Sequence, residues 1–265
     1  MDYVILGIAS CCVALLTFFS GFGLGSLLLP AFAFFFPLEL AVAATAVVHL
    51  ANNLFKLALM GRFAHFKVAM TFGLPAALAS FAGAKVLLGL SHFQSLHDYT
   101  AMGTTRSVDP LGLAMGGLII VFALLDLLPR TQELSFPARA MPLGGLLSGF
   151  FGGLSGHQGA LRAAFLIKAG LDRNAFIGTS VVCAILVDLV RLSVYGSAYL
   201  NGSFLNRELV NSQELGPLVL TAVLCAFAGS FLGKKLLHKV TLKSVQTLVG
   251  VLLLVLGAAI GAGFV

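Results

Sequence analysis

The run Ser148–Phe165, "SGFFGGLSGHQGALRAAF", decides the fold. It lies inside an apolar block from about 141 to 170, yet it holds glycine at 149, 152, 153, 156 and 159 and then His157, Gln158 and Arg162. Glycines this dense let backbones approach closely and let a helix break. A break leaves backbone N–H groups without helical partners, and these groups, with the dipole of the helix that follows, attract an anion. Two limbs of about 14 residues reach only about 20 Å each at ~1.5 Å per residue, short of a hydrocarbon core of roughly 30 Å.

Around this run the chain is unusually apolar. Of 265 residues, 59% are hydrophobic and 10% charged, and the mean hydropathy of +1.02 lies far outside the range of soluble domains. The sequence therefore predicts an all-α integral membrane protein, since helices satisfy their own backbone hydrogen bonds in lipid. Short alternating strands, the mark of a membrane barrel, are absent. The net charge of +6 is spread over span edges and reads as a topology signal, with no nucleic-acid partner expected. Cys11, Cys12, Cys183 and Cys225 lie in apolar segments without a CxxC pair and read as packing residues. No cleaved signal peptide is expected, because a basic region before the first apolar run is lacking.

Eight apolar blocks run roughly over 4–36, 40–60, 68–90, 111–129, 141–170, 174–198, 215–233 and 244–265. The first and fifth are long and glycine-broken, and the order long, medium, medium, medium occurs twice. This predicts two repeats in one membrane domain, 1–136 and 137–265. Short echoes follow the same order: Ser20–Phe22 with Ser148–Phe150, "TAVV" at 45–48 with "TSVV" at 179–182, "NLFK" at 53–56 with "DLVR" at 188–191, and "FAG" at 81–83 with 227–229.

Charge decides how the long blocks cross. Single crossings divide the flanking Lys and Arg six against seven; blocks that enter and return on one side leave Arg106 and Arg207 facing eleven others, Lys56 among them. The positive-inside rule prefers the second arrangement. Each long block is then a re-entrant helical hairpin followed by three transmembrane helices. An odd number of crossings per repeat inverts the halves, as in carriers whose broken helices build a mid-membrane site. The connections 91–110 and 201–214 should face outward, with Tyr195 and Tyr199 in an interfacial belt.

Candidate substrate-binding residues cluster at the breaks: Ser20, Gly21, Gly23, Gly25 and Ser26 at the first, and Ser155, Gly156, His157, Gln158, Gly159 and Arg162 at the second. Arg162 reads as an anion ligand or as a tie across the break. His157 reads as a proton carrier or as a histidine satisfied by freed carbonyls. Asn52 and Asn53 read as cavity lining or interhelical bonds, and Thr179 and Ser180 complete the set. Lys85 is a further intramembrane polar group near the breaks. Asp188 and Arg191, three apart on one helix face, either pair with each other or leave Asp188 to take a coupling proton. The coupling candidates are thus His157, Asp188 and His49.

Two motifs are set aside. "GFGLGS" at 21–26 lacks the βαβ surroundings of a dinucleotide site. "GLSG" at 153–156 has the form of an intramembrane serine protease nucleophile, which needs a histidine on a later helix, but the sole histidine beyond this block, His238, sits in the basic stretch "KKLLHK" at a membrane edge. No ATP-binding motif, cofactor site or metal site appears, so neither pumping nor enzymatic activity is expected.

With "GFGLGSLLLP" at 21–30, "AAT" at 43–45, "GTS" at 178–180 and the second break in the fifth block, the chain resembles the TauE/SafE membrane transporters over nearly its whole length. The resemblance implies transport of sulfite, thiosulfate, sulfonates or related small anions. The family's second break is usually followed by proline; here Arg162, Ala163 and Ala164 stand in that region. The expectation is a secondary carrier of a small, sulfur-containing anion in the cytoplasmic membrane. The alternatives are an anion or neutral-solute channel and, further off, an intramembrane protease. The partners expected are the anion, the bilayer, a coupling proton or cation, and room for a homo-oligomer.

Overall fold

In the computed structural model, residues 2–20, 24–101, 103–127, 136–202, 215–236 and 243–264 are described. Ten α-helices carry them: α1 (Asp2–Ser20), α2 (Leu24–Ala33), α3 (Leu38–Met60), α4 (Phe66–Leu90), α5 (Pro110–Leu127), α6 (Met141–Ser155), α7 (Gly159–Leu166), α8 (Arg173–Leu200), α9 (Leu215–Leu236) and α10 (Lys243–Gly261). The helices covering 38–63, 66–90, 173–200 and 215–236 are long and apolar enough to cross a bilayer. The protein is an integral membrane protein built of helices.

The fifth block is broken after Ser155, and in both long blocks the helices are unequal in length rather than two limbs of about 14 residues; residues 21–23 of the first lie outside the described residues. α1 and α2 have 19 and 10 residues; α6 and α7 have 15 and 8. α7 folds back along α6: the Ser148 hydroxyl donates to the Gln158 carbonyl at 2.7 Å, and the Phe136 amide, just before α6, reaches the Ala164 carbonyl at 3.3 Å. The end of α7 thus returns to the beginning of α6.

Local chemistry sets the helix starts. Asp172 caps α8 by accepting from the Ala175 amide at 2.7 Å. Asp109 accepts from the Gly112 amide at 2.7 Å, and Pro110 opens α5, where a missing N–H costs nothing.

The helices cross closely. α4 packs along α6, α1 along α9, α5 along α10, and α3 against α8. Gly149 and Gly153 of α6 lie directly on the Ala76 and Ser80 carbonyls of α4, where any Cβ would overlap them. Gly83 of α4 meets the Phe150 carbonyl of α6, and Gly229 of α9 meets the Cys11 carbonyl of α1 in the same way. With no hydrophobic force between helices in lipid, this backbone proximity supplies the packing. Gly153→Ala is expected to cost about 2 kcal/mol by forcing α4 from α6, a fall on the order of 5 °C in a detergent melt. Gly89→Ala, with nothing within 4 Å of its Cβ position, should leave the melt unchanged.

The connection 91–110 is not a bare loop. It folds into an antiparallel hairpin, β1 (His97–Ala101) with β2 (Thr104–Val108), His97 facing Val108. The chain end docks on it: the Tyr99 hydroxyl donates to the Ala262 carbonyl at 2.6 Å, and Arg106 Nη1 to the Phe264 carbonyl at 3.2 Å.

Three positions depart from the sequence reading. Tyr195 is not at an interface but buried, its hydroxyl donating to the Gly153 carbonyl. Lys85 is exposed on the outer face of α4, its ammonium 5.7 Å from the Phe81 ring centroid, away from the breaks. Lys56, read as a span-edge charge, is buried, only 6% exposed.

Candidate functional site

The apolar run of α3 is interrupted at His49, Asn52, Asn53 and Lys56, positions i, i+3, i+4 and i+7 that share one helix face. All four are buried. Opposite stands α8, with Asp188, Arg191 and Tyr195 on its inner face, also buried. The α6–α7 break closes the third side.

Asp188, with no exposed surface, is the hub. Its Oδ2 lies 2.6 Å from His49 Nδ1 and accepts from Asn53 Nδ2 at 3.0 Å. A nitrogen–carboxylate contact this short places a proton on Nδ1. Asn53 Nδ2 is also 3.1 Å from that ring nitrogen, but two donors do not bond, so the amide serves the carboxylate. Oδ1 faces Arg191 Nη2 at 2.8 Å and accepts from Gln158 Nε2 at 3.3 Å. The Arg191 contact is an ion pair by distance, off the axis of a hydrogen bond. Asp188 therefore pairs with Arg191, and through Gln158 it also meets the break.

Gln158 carries the network onward, because its Oε1 accepts from Arg162 Nη1 at 2.9 Å. Arg162 is 3% exposed, one turn into α7. Gln158 supplies no side-chain cap to that helix.

Arg191 and Tyr195, one turn apart on α8, reach the carbonyls at the end of α6: Arg191 Nη1 lies 3.4 Å from the Gly152 oxygen, and Tyr195 bonds that of Gly153. A cation at a helix C-terminus complements its dipole. Gly156 then turns the chain at φ +82°, and a Cβ there would lie 2.8 Å from Arg191 Nη1. Gly156→Ala should therefore cost about 1–2 kcal/mol from the left-handed backbone alone, visible as a lower melting temperature.

The other candidates divide. Ser180 is buried on α8, about two turns before Asp188, whereas Thr179 Oγ1 accepts from the His65 amide at 2.9 Å and ties α8 to the start of α4. Asn52 Oδ1 accepts from the Ser230 hydroxyl at 2.7 Å, an interhelical bond to α9. His157 turns away from Asp188: its ring stacks on Phe122 at 5.5 Å, Nδ1 is 3.0 Å from Ser155 Oγ, and Nε2 has no partner among the described residues. The Ser155 hydroxyl donates to the Phe151 carbonyl at 3.1 Å, so its proton is not directed to His157 as a nucleophile's would be. Gly159 begins α7. Gly21 and Gly23 lie outside the described residues, as do His238 and the side chains of Ser20 and Ser26; Gly25 falls in α2.

Among the described residues, the buried charged side chains are Lys56, Arg162, Arg191 and one carboxylate, Asp188. No three His, Cys, Asp or Glu side chains converge there as a metal set. Lys56 was hidden in the sequence by its place near the end of α3; its spacing from His49 and Asn53 is the signal that could have revealed it.

A family model described as "Sulfite exporter TauE/SafE" matches residues 6–260, nearly the whole chain. No match was found among curated proteins.

Proposed function

The chain belongs to the sulfite exporter TauE/SafE family, a transporter family, and we propose that it is a multi-pass secondary carrier of a small sulfur-containing oxyanion in the cytoplasmic membrane. The observation that carries the anion reading is the charge balance of the buried site, three cations against one carboxylate among the described residues. Uncompensated positive charge inside a bilayer is costly by several kcal/mol, and an anion arriving from water relieves it.

We read the halves 1–136 and 137–265 as inverted repeats. Several observations support this. α1 ends at Ser20 and α6 at Ser155, 135 positions apart, the same separation as Asn53 from Asp188 and Lys56 from Arg191. That register aligns "SGFGLG" at 20–25 with "SGHQGA" at 155–160, and it replaces the Ser148–Phe150 echo. Asn53 and Asp188 bond to each other, as matched positions beside a two-fold axis would. Gly83 and Gly229, from the "FAG" echo, make matching crossings. The chain end rests on the β1–β2 hairpin, which puts residues 97–108 and 262–264 at one end of the molecule. An even number of crossings between them, as re-entrant hairpins require, agrees with that placement.

In this reading the anion sits between the two breaks. Arg162 neutralises it, the α7 amides and Gln158 orient it, and Asn53 and Ser180 line its path. Rocking of the hairpins against the remaining helices alternates access. Of the coupling candidates, the His49–Asp188 pair is the one joined to Arg162, through Gln158, so proton uptake there would loosen the arginine's support; His157 lies on a separate branch against Phe122.

Uptake and efflux of labelled sulfite, thiosulfate and methanesulfonate by proteoliposomes, with and without a pH gradient, tests the proposal. Saturable flux of at least one is expected. Flux proportional to concentration without saturation would mean a channel, and no flux of any of the three would sink the substrate class.

A further inference from the structure

Lys56 lies nine-tenths buried in α3, 6% exposed, and among the described residues it makes neither an ion pair nor a hydrogen bond. Its ammonium lies over the Phe18 ring, 5.5 Å from the centroid, and Phe18 lies in the last turn of α1. Asn53, one turn before Lys56 on the same face of α3, donates to Asp188, and Asp188 is joined to Arg162 through Gln158. Two repelling cations are thus held in one interior, one beside the first break and one within the second.

The second repeat shows what Lys56 lacks. Arg191, its counterpart in the 135-residue register, has a carboxylate three residues earlier, Asp188, at 2.8 Å. At the matching place before Lys56 stands Asn53, an uncharged amide that bonds to Asp188 instead. The first repeat keeps the cation and drops its counter-ion. An aromatic face relieves a buried ammonium only in part, and long basic side chains within membranes ordinarily pair or face a cavity.

We propose that Lys56 is the second anion-binding cation of the carrier and that, with Arg162, it selects oxyanions bearing two negative charges over those bearing one. This rests on the anion-carrier reading and names the class of ion for that site. A dianion cancels both repelling charges at once, whereas a monoanion leaves one uncompensated. The selectivity is electrostatic, so it follows the charge carried by position 56 and not its exact shape.

The test compares thiosulfate, a dianion at neutral pH, with methanesulfonate, a monoanion, each as a competitor of labelled-anion uptake in proteoliposomes. Wild type should prefer thiosulfate at least tenfold. Lys56→Gln should lower affinity for thiosulfate at least tenfold more than for methanesulfonate, and Lys56→Arg should keep the wild-type preference, which separates charge from folding. A preference unchanged in Lys56→Gln, or affinities for both ions lost equally in Lys56→Gln and Lys56→Arg, would overturn the role of Lys56 and leave the carrier reading intact. Wild type that carries neither ion would overturn both.

Discussion

Arg162→Ala is expected to reduce saturable anion uptake about a hundredfold while leaving a folded, monodisperse protein. A charge-assisted hydrogen bond to a ligand in a water-poor site contributes about 1.5–3 kcal/mol, and 2.7 kcal/mol corresponds to about a hundredfold in affinity. Because Arg162 holds the Gln158 amide, its loss also frees Gln158 to turn, which adds to the effect. Arg162→Lys should recover part of the uptake, since it restores charge without the planar fork. Initial rates over a concentration series, with size-exclusion profiles alongside, provide the check. Wild-type uptake in the alanine variant would make Arg162 a tie across the break.

The largest effect on stability is expected from Asp188→Asn. Removing one partner of a buried ion pair costs about 3–5 kcal/mol because it strands the other. Asp188 accepts from three donors, His49, Asn53 and Gln158, and forms an ion pair with Arg191. Its neutralisation leaves Arg191 between the end of α6 and an amide that cannot balance its charge. Melting in lipid-supplemented detergent should fall by roughly 10 °C. The double variant Asp188→Asn/Arg191→Met should recover several degrees, since no charge is then stranded. A single variant that melts like wild type would remove Asp188 from its central place.

Much of this was legible from residue order. The glycines from Gly149 to Gly159 announce a break because few other residues permit the φ of +82° found at Gly156. The crowd of His157, Gln158 and Arg162 marks the interior because polar groups in apolar blocks seldom persist without partners. Which partners they find is not legible, since that depends on rotation of helices about their axes. Thr179 and Asp188 lie on one helix, yet the first ties a loop and the second organises the site. Lys56 and Lys85 both look like lysines near span ends, yet one turns inward and the other out. The unequal limbs were hidden because glycine content marks the region of a break and not the residue at which the backbone turns.

The crossing of α1 on α9 has a consequence for biogenesis. α1 leaves the ribosome before α9, and the glycine-bearing face it needs, at Gly229, is made about 200 residues later. At roughly 5–20 residues per second, α1 waits on the order of 10–40 s in the bilayer for its mate. Over that interval the nascent protein has an inserted helix without its final neighbour. Late assembly of α1 with α9 is therefore the step at which membrane quality control has most time to act, and slowing translation across 215–236 lengthens it.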